Sequence, residues 1–155
     1  MSRIVVYTDG STKENPGLGA YGFVAVDKDE VIYRSGEFVN MMTNNQAELL
    51  ATISAIEWFI KKYDSSNLLV IKTDSKYCYS GFNVWMEKWI KKDWKRADGK
   101  DVANIELWKK LLVYKEKYSN IKFEWIKGHS GNKFNDMVDE MCKKIWKKKE
   151  KKYEQ

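Results

Sequence analysis

Two stretches of this chain end alike. "VVYTDGS" (Val5 to Ser11) and "VIKTDSK" (Val70 to Lys76) each close an apolar run on Thr-Asp and a small or polar residue. One carboxylate at the end of a strand is ordinary turn chemistry. Two at matching ends are a candidate site if their strands are neighbours. A long helical stretch separates them, and a right-handed crossover through it lays the two strands parallel. Asp9 and Asp74 then stand together at the carboxyl ends of the strands, where open α/β sheets bind ligands. Glu48 lies in the second turn of that helix and shares a face with Ala51, Thr52, Ala55 and Phe59. Such a small, apolar face belongs against the sheet, and a carboxylate there is costly unless paired or bound to a cation. Asp136, Asp139 and Glu140 all fall near the start of the last helix, where the helix dipole favours acids. The residues alone leave the choice among these three open.

Carboxylates that converge without a basic partner repel one another, and a divalent cation resolves the conflict. Mg²⁺ takes oxygen ligands and keeps several waters, so it suits phosphate substrates. Two such ions about 4 Å apart can activate a water and stabilise the leaving oxygen in phosphodiester cleavage. Zinc chemistry has little to build on: His129 is the only histidine, and Cys78 and Cys142 form no CxxC.

The elements that must position these acids read as an α/β plan. Strands are expected over 3–9, 19–27 and 30–39, the last two joined by a polar hairpin turn at Asp27–Glu30. A long helix covers 43–62, opened by "TNNQ" as a capping box with Thr43 as N-cap and Gln46 reaching back. A fourth strand covers 68–74. Short helices follow over 75–81, ended by Gly81, and over 84–92. A further helix covers 101–117, with Ile105, Trp108, Leu111 and Leu112 on one face. Residues 120–126 alternate as a half-buried strand, 128–135 form a loop, and a last helix turns Val138, Met141, Cys142 and Ile145 inward. Strands interrupted by helices make a mixed sheet.

At 155 residues the chain fits one domain, 1–146, followed by a lysine-rich tail, 147–155, that is expected to fray. Two cysteines suggest a reducing compartment. No apolar run is long enough to span a membrane and a strand starts almost at once, so the cytoplasm and a monomer are the expectation. The net charge of +6 and seven tryptophans point to a polyanionic partner.

"YTDGS", "TNNQAELLA", "KTDSKY" and "WIKGHSGNKFNDMVD" occur in an order and spacing that resembles type 1 ribonucleases H of the bacterial form, over nearly the whole chain. The resemblance implies a ribonuclease H-like fold, a five-stranded mixed sheet flanked by helices. It implies an endonuclease that cuts the RNA strand of RNA–DNA hybrids with Mg²⁺ or Mn²⁺. The family's metal-binding acids fall on Asp9, Glu48, Asp74 and Asp139, and its mobile loop histidine on His129, flanked by Gly128 and Gly131. Groove contacts fall on Asn15, Asn44 and Asn45, and residues holding a DNA phosphate on Thr43 and Asn104. Where bacterial members commonly carry glutamine after "TDS", this chain has Lys76. The family's basic protrusion falls on Trp85 to Lys100, where six basic residues face three acids. Trp89, Lys91, Lys92 and Lys95 there are the expected substrate contacts, since lysines interleaved with aromatics suit a phosphate backbone. Two rivals share the fold: a non-catalytic nucleic-acid-binding domain, expected to have lost an acid, and the ribonuclease H part of a reverse transcriptase.

Overall fold

The structure is a computed structural model that describes residues 1–154. Three strands open the chain: β1 (Arg3–Thr12), β2 (Gly17–Asp27) and β3 (Glu30–Met42). They form an antiparallel meander, with Asp9 opposite Gly22 and Thr12 opposite Gly19. Strand β1 runs on past its expected end, so Asp9 sits within a strand rather than at a turn. Helix α1 (Asn44–Lys62) then crosses over, and β4 (Leu68–Thr73) pairs parallel with β1, Tyr7 opposite Lys72. Two residues further along each chain segment come Asp9 and Asp74, at equivalent levels. Strand β5 (Ile121–Trp125) pairs parallel with β4 and completes a five-stranded sheet of order β3-β2-β1-β4-β5.

The start of α1 follows the capping pattern in full. The Thr43 side chain accepts from the Gln46 N–H, and the Gln46 side chain accepts from the Thr43 N–H at 2.8 Å. On the core side Ala47, Ala51, Ala55, Ile56 and Phe59 are buried against β1 and β2. Helix α5 (Lys133–Glu154) covers the opposite face, where Val138 and Cys142 pack with Tyr7, Ala20 and Val24.

The middle of the chain departs from the expected pattern. Gly81 does not end the first short helix. Segments α2 (Lys76–Ser80) and α3 (Met86–Lys91) are continuous through a π turn, Gly81–Trp85. Helix α4 starts at Ile105, not 101, and ends at Lys117. The residues just before it are needed to fold the protrusion back, through a bridge from Lys95 to Asp101 and a left-handed Asn104 (φ 59°). Helix α5 starts at Lys133, inside the expected loop, because Asn132 accepts from the N–H groups of Phe134 and Asn135.

The tail is the largest difference. It continues α5 as helix to Glu154. Its side chains find partners that spacing along the chain does not reveal. Glu150 meets Lys13 at 2.6 Å and Lys149 lies over the Phe38 ring, while just before the tail the Trp146 indole N–H donates to Ser11. Gln155 lies outside the described residues. No helix among the described residues is long and apolar enough to cross a membrane.

Candidate active site

Asp9, Glu48 and Asp74 come together just past the point where β1 and β4 stop pairing, with one carboxylate oxygen from each within 4.8 Å of the others. Asp9 is brought in by β1, Asp74 by the first residue beyond β4, and Glu48 by the second turn of α1. The approach of α1 is unusually close. The Gly10 N–H donates to Glu48 Oε1 at 3.1 Å, and a Cβ on Gly10 would stand 2.4 Å from that of Ala47. Only glycine lets the helix reach the strand here.

Burial gives the cluster its electrostatics. Asp9 is 5% exposed and Glu48 9%. Burial, with the Asp74 charge next in weight, pushes Asp9 up to about 8. Burial and then the Asp9 and Asp74 charges push Glu48 well above the usual carboxylate range. Asp74 is also raised, by burial and then by Asp139. Asp9 Oδ2 and Glu48 Oε2 are buried without a hydrogen-bond partner. Buried polar atoms are rarely left this way, and a pair of acceptors with no donor fits a hard cation. The donor set therefore suits the expected metal.

Asp139 lies on α5 close enough for its charge to raise both Asp9 and Asp74. It stands outside the tight group of three, and its Oδ2 pairs with Lys143 at 3.1 Å, one helical turn on. His129 is exposed in the loop before α5, in left-handed backbone (φ 55°), and its charge acts on Asp74. Gly128 has a different part from the one expected. It is not in left-handed backbone; instead a Cβ there would stand 2.8 Å from Asp74 Oδ2, so its bare backbone leaves room for the carboxylate.

The expected groove contacts converge beside this cluster. Asn15 accepts from the Asn44 N–H at 3.0 Å, Thr12 donates to the Asn44 side chain, and Thr43 and Asn45 flank Asn44 at the head of α1. Lys76 places its ammonium 5.1 Å from the centre of the Trp125 ring, while the Trp125 indole N–H donates to the Asp74 carbonyl. Asn104 donates to the Tyr77 hydroxyl. The protrusion divides its residues differently from expectation. Trp89 is half-buried against Trp85, Trp94 and Trp108, so it braces the protrusion from within. Lys95 is engaged by Asp101 at 2.5 Å, and Arg96 by Asp98. Lys91 and Lys92 are exposed and, among the described residues, pair with no carboxylate.

Sequence reasoning missed one residue beside the site. Asn135 is buried, with an unpartnered side-chain oxygen. Asn135 lies close enough to Asp74 to offset a small part of the upward push on that carboxyl. Its spacing, four residues before Asp139 on one helical face, was a usable signal, hidden because 128–135 read as loop.

Sheet order, crossover and acidic cluster together define the ribonuclease H-like fold. A ribonuclease H family model matches residues 1–147. A ribonuclease H of Ruthia magnifica subsp. Calyptogena magnifica is 40% identical over 149 residues, covering 92% of this chain and 94% of that protein. The structure of LC9-RNase H1, a type 1 RNase H with the type 2 active-site motif, superposes with a TM-score of 0.79 at 22% identity, over 94% of this chain and 72% of that one. LC11-RNase H1 in complex with RNA/DNA hybrid gives a TM-score of 0.69 at 24% identity, over 94% of this chain and 97% of that one. The chain belongs to the ribonuclease H family.

Proposed function

We propose that this protein hydrolyses the RNA strand of RNA–DNA hybrids, with Asp9, Glu48, Asp74 and Asp139 holding Mg²⁺ (Mn²⁺ as a substitute). The observation that carries the reading is the trio of acids with two orphaned buried oxygens, where the parallel pairing of β1 and β4 stops. When bound, the metal would supply an activated water and charge stabilisation at the leaving oxygen. The chain's own residues do the rest. The bare backbone of Gly128 leaves room for the Asp74 carboxylate, and Asn135 lies beside it. The Asn15–Asn44–Asn45 group senses the groove, where a 2′-OH distinguishes RNA from DNA. Thr43 and Asn104 seat a DNA phosphate, and Lys76, stacked on Trp125, lies beside the cut. The reading is of a monomer in the cytoplasm; the two free buried thiols of Cys78 and Cys142 support the reducing setting. The test is cleavage of a labelled hybrid, a DNA duplex and an RNA duplex, with Mg²⁺ and with EDTA. Metal-independent cutting, or equal cutting of all three duplexes, overturns it.

His129 is exposed and no part of the tight acidic group, so it handles a proton or aids product release. His129→Ala is expected to slow turnover about 10²-fold and to leave measurable activity. A loss as complete as that from removing Asp74 would instead make it part of the metal site.

The exposed pair Lys91 and Lys92 grips phosphates, with Lys95 held back by Asp101. Glutamine at both lysines is expected to raise KM and lower the salt slope of hybrid binding by about 0.9 for each phosphate no longer neutralised. The kcat should hold, because such interactions act alike in ground and transition states. Lys95→Gln alone should change KM less than Lys91→Gln. Steady-state kinetics from low to high salt checks both statements.

A further inference from the structure

We propose that Tyr77 is a substrate-positioning residue, whose hydroxyl fixes the Asn104 amide and offers its own proton to the phosphate that Asn104 holds. This rests on the reading of Asn104 as a phosphate contact. Tyr77 stands in the first turn of α2, three residues beyond Asp74, and is half-buried. Its hydroxyl oxygen accepts from two donors, the Trp108 indole N–H and the Asn104 amide, each at 3.0 Å. A phenol has two acceptor lone pairs and one proton. Both lone pairs are therefore in use, and no described side chain takes the proton.

The Trp108 contact has a sufficient structural reason. Trp108 is fully buried, and its N–H would otherwise be orphaned. The Asn104 contact has no such reason. Asn104 occupies the N-cap position of α4, yet its side chain caps nothing. Its backbone is left-handed, a conformation that asparagine tolerates better than most residues. The side chain has turned from its own helix to Tyr77, which leaves one amide N–H uncommitted. Asn104 also lines a surface cavity of about 300 Å³ together with Gln46 of α1. A phosphate that takes the second amide proton on one oxygen can turn a neighbouring oxygen to the Tyr77 hydroxyl, whose own oxygen is 3.0 Å from the Asn104 nitrogen. Because Tyr77 follows Asp74 so closely, the phosphate seat is tied to the end of β4. The position of the bound DNA strand is thereby held in register with the acids.

The experiment compares Tyr77→Phe, Asn104→Ala, their combination and Trp108→Phe by KM and kcat on a hybrid and by melting temperature. Tyr77→Phe and Asn104→Ala are each expected to raise KM about 10-fold, with kcat within about twofold. The double variant should be no worse than the weaker-binding single, because both changes disable one seat. Trp108→Phe should lower the melting temperature and raise KM less than Tyr77→Phe, because the Tyr77 hydroxyl and its Asn104 contact remain. If Asn104→Ala raises KM while Tyr77→Phe lowers only the melting temperature, Tyr77 is merely the partner of Trp108 and the proposal fails. If neither change moves KM, the assignment of Asn104 fails first and takes the proposal with it.

Discussion

Asp9→Asn is expected to remove hybrid cleavage by about 10³-fold or more and, without divalent metal, to make the protein more stable than the parent. The first effect follows from losing a charge that holds the metal, where several kcal/mol of transition-state stabilisation are at stake. The second follows from burial. Asp9 is pushed up to about 8 in the folded protein, mainly by desolvation and then by Asp74. An unfolded aspartate ionises near 4. Between those values the unfolded chain has released a proton that the native state retains. The stability this group contributes is therefore fully present below pH 4 and is lost as pH rises toward 8. Asparagine carries no such dependence. The melting temperature of Asp9→Asn in EDTA should exceed that of the parent by a margin that widens from pH 4 to pH 8. Adding Mg²⁺ should narrow or reverse the margin, because only the parent keeps the full ligand set. Thermal unfolding at two pH values, with and without metal, reads all of this. A margin independent of pH, or full cleavage by the folded variant, would show that Asp9 is not a buried metal-holding acid.

The matched "TD" ends made Asp9 and Asp74 readable from sequence, because parallel pairing across a helix is nearly forced by chain connectivity. Glu48 was readable for a different reason: the alanines on its face marked it as inward, and they are buried. Asp139 was not readable from the residues, since Asp136 and Glu140 satisfy the same helix dipole; only the family pattern chose it. What stayed hidden depends on contacts between segments remote along the chain. Gly10 looks like a turn residue until α1 is seen lying against it. Trp89 reads from sequence as an aromatic available for stacking; its packing against Trp85, Trp94 and Trp108 brings together residues up to 19 positions away and could not be read there. The tail's lysines read as a solvated end because Lys13 and Phe38, which receive Glu150 and Lys149, lie far away in sequence.

Gly10→Ala is expected to lose both stability and activity, through one added methyl. The new Cβ would stand 2.4 Å from Ala47 Cβ, 2.6 Å from the Ala47 carbonyl carbon and 2.8 Å from the Glu48 nitrogen. Strand β1 cannot simply retreat, because Gly10 is paired with Tyr21 in the ladder. Helix α1 must move instead, against the core that holds Leu49, Ile53 and Ile56. Overpacking of this kind costs about 1–3 kcal/mol. In a protein this size that lowers the melting temperature by about 2–12 °C. The same displacement weakens the Gly10–Glu48 hydrogen bond and carries Glu48 away from Asp9. A misplacement of about 1 Å at a reacting centre costs about 10²-fold in rate. Glu48→Gln separates the two effects: it keeps the packing and an acceptor for the Gly10 N–H, so it should lose activity without losing melting temperature. Shrinking the facing residue gives the sharper test. Ala47→Gly removes the 2.4 Å clash from Gly10→Ala but leaves the two backbone clashes standing. The double variant should therefore recover only part of the lost stability and little of the lost rate. Full recovery of kcat in Gly10→Ala/Ala47→Gly would mean that side-chain crowding alone sets the approach of α1. A Gly10→Ala protein with parental kcat would mean that Glu48 does not depend on that approach at all.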